Sequence, residues 1–100
     1  MSQITDTFEA TGTSDEIISD VIDIAIRHTG TASIDVERQM PSGNWIKIKT
    51  GITADYNETW NFGRGVYVTL RLNCTSYTDD AEFAMTAPEP WLPSDQIIYA

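Results

Sequence analysis

The sequence contains only one cysteine and one histidine among its 100 residues. An internal disulfide bond is therefore impossible, and a metal site built from several cysteines is excluded. Cys74 continues an apolar row, which favours a buried thiol that packs as a small apolar side chain. A Cys/His nucleophile is the weaker interpretation, because His28 lies far from Cys74 in the sequence.

Basic residues are also few, since six of them stand against fifteen acidic residues and leave a net charge of −9. A surface of this sign repels the phosphate backbone of DNA or RNA, so we expect no nucleic-acid partner. The chain lacks an apolar run of the roughly 18 residues needed to cross a membrane. Residues 1–10 lack the basic region and the apolar core of a cleaved export signal. We therefore expect neither membrane insertion nor export by such a signal.

Acidic residues are plentiful, but their spacing does not match a catalytic or metal-binding pattern. Asp15-Glu16 and Asp79-Asp80 stand at turn or cap positions, whereas general acid–base catalysis needs carboxylates held at set distances in a cleft. Asp79, Asp80 and Glu82 do not have the alternating ligand spacing of a calcium loop. The sequence therefore predicts no enzyme, no cofactor and no metal ion.

Alternation of apolar and polar residues predicts an all-β chain. Residues 21–28 and 32–39 place small or branched apolar side chains at every second position, and residues 65–75 extend the same pattern furthest. About seven strands are predicted, at residues 3–10, 21–28, 32–39, 44–50, 52–59, 65–75 and 81–86. Their one-sided patterns indicate a single antiparallel β-sandwich, either immunoglobulin-like or jelly-roll-like. Residues 14–20 are predicted to form one helical turn capped by Ser14 or a loop.

Residues 37–49 predict a β-hairpin with its turn at Met40-Pro41-Ser42-Gly43. Pro41 presets the φ angle that the second position of a tight turn requires. Gly43 is free to adopt the left-handed conformation that closes a short hairpin. The turn residues therefore predict a structural role for the hairpin, and any binding specificity is expected on its outer face and on the last fourteen residues of the chain.

The returning strand of this hairpin has one apolar and one mixed face. Ile46 and Ile48 are predicted to point towards the core. The other face carries Trp45, Lys47 and Lys49, and the lysines are expected to pair with the two carboxylates of the preceding strand. Trp45 is then either a lid on the end of the sheet or an exposed contact.

The last fourteen residues, 87–100, differ from the rest of the chain. Three prolines within six positions favour an extended arm over regular strand pairing. The arm also carries five large apolar residues, Trp91, Leu92, Ile97, Ile98 and Tyr99. It either folds back over the open end of its own sandwich or reaches a neighbouring subunit, and we favour the neighbour. The predicted boundaries are 1–86 for the sandwich domain and 87–100 for the arm.

Four short motifs follow one another along the chain, Val36-Glu37-Arg38, Gly43-Asn44-Trp45, Gly65-Val66-Tyr67 and Cys74-Thr75-Ser76-Tyr77. In this order they resemble a family of small phage virion proteins of β-sandwich type. The resemblance covers about residues 8 to 86. The hairpin turn of this chain has Pro41-Ser42-Gly43 where the family often has an aspartate before paired glycines, so an aspartate ligand is not carried over.

The resemblance implies a non-enzymatic structural role in a virus particle. Its favoured form is a capsid decoration or cement protein, made in the host cytoplasm, that binds the major capsid protein on the outer capsid surface and stabilises the shell. A symmetric homo-oligomer such as a trimer is compatible with this role. The expected partner-binding residues are Trp45, Trp91, Leu92, Ile97, Ile98 and Tyr99.

Two other functions remain open at this stage. One is a tail or head-fibre component of the virion, which would bind in low copy number at one symmetric position. The other is a carbohydrate-binding module, in which Trp45 and Trp60 would act as stacking platforms for sugar rings.

Overall fold

The computed structural model describes residues 2–88 of the chain. This part of the chain forms β-strands and no helix, as the alternating pattern predicts. In chain order the strands are β1 (Ser2–Phe8), β2 (Gly12–Thr13), β3 (Ile17–Ser19), β4 (Val21–His28), β5 (Ala32–Gln39), β6 (Trp45–Ile52), β7 (Tyr56–Asn61), β8 (Val68–Tyr77) and β9 (Ala81–Ala87). The predicted arm overlaps β9 at Ala87, and its residues 89–100 lie outside the described residues.

The strands form two antiparallel sheets. The first sheet has the order β1-β9-β4-β7, and the second has the order β2-β8-β5-β6, with β3 also paired to β8. Both sheets contribute their inner faces to one cluster of buried apolar residues. The described residues are therefore all-β and sandwich-like, which confirms that part of the fold prediction.

Period-two alternation explains which face each strand buries. On β4, the side chains of Ile22, Ile24 and Ile26 are buried while those between them are more exposed. The apolar core residues of three further strands are Ala32, Ile34 and Val36 on β5, Val68, Leu70, Leu72 and Cys74 on β8, and Ala81, Phe83, Met85 and Ala87 on β9. Fully burying one Ile or Leu side chain is worth about 1.5–3 kcal/mol. A register slip by one residue would expose these rows, so they fix the pairing of the strands.

The prediction for residues 14–20, a helical turn or a loop, is wrong for its second half. Residues 17–19 form β3, which pairs with β8 through the registers Ile17 to Leu70 and Ser19 to Val68. Ile17 is buried in the core, and this burial outweighs the small gain of an isolated helical turn, whose nucleation is unfavourable. Ser14 uses its hydroxyl oxygen to accept the N–H of Leu72 at 2.9 Å instead of capping a helix.

The prediction that Ile46 points into the core is also wrong, since 45% of this residue is exposed. β6 is an edge strand of the second sheet, so it has a neighbouring strand on only one side. Its pairing with β5 contains two register irregularities. Ile48 is partly buried against the core, as expected. Ile52, which was predicted to belong to a separate strand, ends β6 and is buried.

The start of β8 lies later than predicted, at Val68 instead of residue 65. The residues before it form a turn, in which the N–H of Val66 donates to the carbonyl oxygen of Gly63 at 2.9 Å. Val66 therefore leaves the inward row and is 48% exposed. Two glycines with positive φ, Gly63 and Gly65, make this turn possible where a continued strand was expected.

The turn between β5 and β6 has the predicted conformation. Gly43 has a φ of 95°, in the left-handed region, and its N–H donates to the carbonyl oxygen of Met40 at 2.8 Å. The N–H of Met40 in turn donates to the carbonyl oxygen of Asn44 at 2.7 Å. A Cβ atom added at Gly43 would meet no other atom within 4 Å, so the backbone angle alone restricts this position.

Replacing Gly43 by valine tests this backbone requirement. We expect the free energy of unfolding to fall by about 1–3 kcal/mol, because a β-branched residue is strained at positive φ. Urea unfolding followed by circular dichroism measures the change. Ser42→Ala in the same turn is the control and should change stability by less than about 0.5 kcal/mol. Equal stability of Gly43→Val and the unmodified protein would contradict the turn geometry.

Candidate partner-binding surface

The outer face of the second sheet carries two acidic residues that are buried although they point away from the core. Asp35 and Glu37 alternate with the inward residues of β5, yet they are only 6% and 5% exposed. Burial of a charge is costly unless the charge is paired and hydrogen-bonded. The side chains around these two carboxylates therefore decide whether this face is stable.

Glu37 is paired on both carboxylate oxygens. Its Oε1 accepts a hydrogen bond from Arg71 Nε at 2.8 Å, and its Oε2 accepts from Asn73 Nδ2 at 3.0 Å and Lys47 Nζ at 3.1 Å. Asp35 accepts from the same Lys47 Nζ at 2.7 Å and from the backbone N–H of Gly51 at 2.9 Å. The expected pairing is confirmed for Lys47, which contacts both carboxylates. Lys49, which was expected to pair with them as well, instead lies over the Tyr56 ring, with its Nζ 5.4 Å from the ring centroid. Two acids and two bases thus form one neutral network across β5, β6 and β8.

The electrostatics of the network keep its charges in place. Burial by itself raises the pKa of Glu37, but the hydrogen bonds from Asn73, Arg71 and Lys47 together hold that pKa below its ordinary value of 4.5. The hydrogen bonds to Asp35 and Glu37 raise the pKa of Lys47 above its ordinary value of 10.5. Glu37 is therefore ionised and Lys47 protonated at neutral pH.

Trp45 lies beside this network on the same outer face. The guanidinium carbon of Arg71 is 4.0 Å from the centroid of the Trp45 ring, which is cation–π geometry. Glu37 accepts a hydrogen bond from the Nε of Arg71 and so holds the guanidinium of Arg71 against the indole of Trp45. Trp45 is half-buried by this packing. This half-burial is intermediate between the two predicted alternatives, a lid on the end of the sheet and an exposed contact.

An exposed aliphatic residue lies on the same face. Ile18 on β3 pairs with Thr69 on β8, and its two neighbours on β3 point into the core. Ile18 is 61% exposed, the largest value among the large apolar residues exposed in residues 2–88. The outer face of the second sheet therefore combines an aromatic ring, a guanidinium group and an aliphatic side chain. We call this set, Trp45, Arg71 and Ile18, the Trp–Arg face.

The outer face of the first sheet has a different character. Ala25 and Ala84 are register partners at its centre, and Thr5 pairs with Ala84 on the other side. They line a shallow groove of about 390 Å³. An ion pair beside it, Arg27 with Glu82 at 3.4 Å, joins two exposed side chains, and such pairs contribute little. Ala25, Ala84 and Thr5 are small, so the centre of this face presents no large side chain to a partner.

Of the six predicted partner-binding residues, only Trp45 lies within the part of the chain that the structure describes. Trp91, Leu92, Ile97, Ile98 and Tyr99 lie outside the described residues. Arg71 and Ile18 were missed by sequence reasoning. An arginine at an outward position of a predicted strand is a weak signal, and its pairing with Glu37 appears only when the strand register is known.

The groups considered for catalysis occupy separate places. Cys74 is buried, as predicted, and burial raises the pKa of its thiol. His28 ends β4 in the first sheet, whereas Cys74 lies on β8 in the second. Within residues 2–88 no group of three or more His, Cys, Asp or Glu side chains is arranged to hold a metal ion. The same residues contain no helix with the length and apolar character of a membrane span.

Trp60 is also packed within the protein. Its Nε1 donates a hydrogen bond to the hydroxyl of Tyr56 at 3.2 Å. Its ring stacks with that of Phe62, with centroids 6.3 Å apart and planes 17° from parallel. Both tryptophans considered as sugar platforms therefore have neighbouring side chains against their rings.

Comparisons with protein-family models, with curated protein sequences and with solved structures found no match to this chain. We therefore infer a function from the contacts of residues 2–88 and from the motifs in the sequence.

Replacing Glu37 by glutamine tests the network. We expect the free energy of unfolding at pH 7 to fall by about 1.5–3 kcal/mol, because charged hydrogen bonds to Arg71, Asn73 and Lys47 are weakened. Chemical unfolding measures this loss. Glu82→Gln removes an exposed carboxylate in an ion pair and should cost less than about 0.5 kcal/mol.

The pH dependence of the stability difference between the unmodified protein and Glu37→Gln is a second test of the network. The pKa of Glu37 is lower in the folded protein than its ordinary value of 4.5, so its contribution to stability is complete above pH 4.5. The contribution is lost as the pH falls below 4.5 and through the lowered pKa. The gap between the unmodified protein and Glu37→Gln should therefore narrow in that range. A gap that stays constant down to acid pH would contradict the role of the carboxylate charge.

Proposed function

We propose that this chain is a non-enzymatic structural protein of a phage virion, which binds the major capsid protein on the outer capsid surface and stabilises the shell. The observation that carries the proposal is the Trp–Arg face. Tryptophan and arginine are enriched among the residues that contribute most to protein–protein binding. Here Glu37 already fixes the arginine against the indole, so binding would cost less side-chain entropy.

The strand order supports the same proposal. The orders β1-β9-β4-β7 and β2-β8-β5-β6 can be derived from a jelly roll, with β2 and β3 sharing one strand position beside β8. We therefore infer a jelly-roll-like sandwich in preference to an immunoglobulin-like one, whose sheets are ABED and CFG. Jelly rolls occur in viral capsid and lectin domains. The fold alone does not distinguish a capsid protein from a lectin, so the distinction has to come from the surface residues.

The surface favours a protein partner over a sugar. A sugar platform needs an open ring face, and Arg71 on Trp45 and Phe62 on Trp60 reduce the ring area that a sugar can reach. The network beside Trp45 uses its carboxylates internally, which leaves them engaged by Lys47 and Arg71. A flat sheet face with one aromatic anchor suits a protein surface better than a concave ligand site.

The proposed mechanism is linkage between binding and assembly. A protein that contacts only assembled capsid subunits adds its binding free energy to the assembled state and so stabilises the shell. Many identical sites on the lattice multiply this effect. The net charge of −9 suits the outside of a DNA-filled shell better than its interior, where the phosphates would repel it.

Co-sedimentation with empty capsid shells of the phage that encodes the chain tests the proposal. We expect the full chain to bind the shells in many copies. Trp45→Ala should weaken binding by about tenfold or more, because it removes the aromatic anchor. Arg27→Ala, on the outer face of the first sheet, is the control and should bind as the unmodified protein does.

The outcomes separate the competing functions. Absence of binding to shells would overturn the proposal. Binding at one symmetric position in low copy number would indicate a tail or head-fibre component. Binding to a glycan array by the isolated protein would indicate a carbohydrate-binding module. Thermal unfolding of Trp45→Ala must show a folded protein before its loss of binding is interpreted.

A further inference from the structure

Four exposed apolar side chains gather at one end of the sandwich. Met40 lies in the β5–β6 turn, Ile46 lies at the start of β6, and Val66 and Tyr67 immediately precede β8. The register brings these segments side by side, because Arg38 on β5 pairs with Ile46 on one side and with Leu70 of β8 on the other. We call this region the apolar end.

A shallow groove of about 350 Å³ runs through the apolar end, between the β5–β6 turn and the start of β8. Met40, Pro41 and Tyr67 line it together with Arg38. Arg38 Nε is buried and has no hydrogen-bond partner within residues 2–88. The guanidinium of Arg38 lies over the Phe62 ring at 5.8 Å. The groove thus offers apolar contacts and one cation with unused hydrogen-bonding capacity.

The last described strand, β9, ends at this same end of the sandwich. Thr86, near the end of β9, pairs with Asp23, near the start of β4. Just before β4, the carbonyl oxygen of Asp20 accepts the N–H of Phe62 at 2.9 Å, and its carboxylate accepts the N–H of Gly65 at 3.0 Å. The end of β9 and the β7–β8 loop therefore meet at one end of the molecule.

We propose that residues 89–100 of the chain bind across the apolar end of their own domain, with the groove beside Tyr67 as the docking site. These residues include five large apolar side chains and two acidic ones, Glu89 and Asp95, and no basic residue. The negative charges of Glu89 and Asp95 are opposite in sign to the charge of the Arg38 guanidinium. Proline-rich extended segments commonly bind grooves lined by aromatic residues.

Residues 89–100 are long enough to reach the groove of their own domain. Twelve extended residues span about 40 Å, which exceeds the 27 Å second dimension of the described residues. A tether of this kind holds a segment at an effective concentration in the millimolar range, so the same chain outcompetes a second copy in dilute solution. This inference concerns the domain's own surface and does not depend on capsid binding.

Paramagnetic NMR on the full chain tests the proposal directly. Cys74 is buried, so Ser94→Cys supplies the accessible thiol for a spin label. In isotope-labelled protein carrying this label, we expect the amide signals of residues 39–43 and 65–69 to broaden more than those at the opposite end of the sandwich. The signals of residues 29–31 and 78–80, at that opposite end, serve as the internal reference.

A mixed sample distinguishes the same chain from a second copy. Spin-labelled protein without isotopes is added to isotope-labelled protein without a spin label, and we expect no broadening at the apolar end. Broadening there in the mixed sample alone would overturn the proposal in favour of a second copy. Absence of broadening at the apolar end in both samples would overturn docking at this site.

Substitutions in the groove provide a matched comparison. Tyr67→Ser in the spin-labelled chain should weaken docking by about tenfold and reduce the broadening, because it removes the aromatic contact. Arg27→Ser also removes a large exposed side chain, but near the opposite end of the sandwich, and should leave the broadening unchanged. Equal broadening in all three proteins would contradict the assigned site.

Discussion

Burial of every second side chain along β4, β5, β8 and β9 is the constraint on which the remainder of this structure depends. The inward rows of these strands meet in one cluster between the sheets. They fix the registers, and the registers then decide which polar residues become neighbours on the outer faces. Glu37 lies opposite both Lys47 and Arg71 because the rows of Val36 and Leu72 are locked in the core.

The Trp–Arg face is a consequence of those registers. Glu37 is nearly excluded from solvent on a face that water should reach, and its hydrogen bonds to Arg71, Lys47 and Asn73 satisfy both oxygens. Removing one partner of such a network leaves a buried charge unpaired, which is more costly than never burying it. Arg71 is therefore held by Glu37 and packs against Trp45. A side chain already positioned in this way favours recognition of a partner surface, because less ordering is required on binding.

The sequence was sufficient to predict the elements whose signal is local. β4 and β5 span the predicted residues 21–28 and 32–39, and the left-handed Gly43 follows from the hairpin turn. Predictions were wrong where pairing decides the outcome. Ile46 looked inward by alternation but lies on an edge strand with an irregular register, and Val66 belongs to a turn.

The same distinction applies to the candidate site. Trp45 was identifiable as an outward aromatic next to lysines. Its contact with Arg71, and that of Arg71 with Glu37, joins strands that are far apart in the chain, 34 residues in the second case. Single-sequence reasoning has no access to such cross-strand neighbours, since one-residue shifts of register change every pair. The segment that contains Ile17 and Ile18 could not be predicted as a strand for the same reason, because it becomes a strand only through its pairing with β8.

We propose that this protein binds an assembled capsid surface through the Trp–Arg face. A cryo-electron microscopy reconstruction of capsid shells saturated with the protein would locate the bound sandwich and its orientation. We expect density for the sandwich at repeated positions on the outer surface, with the side chains of Trp45 and Arg71 turned towards the capsid protein. Shells without added density, or sandwiches bound with Trp45 and Arg71 facing solvent, would contradict the proposed binding.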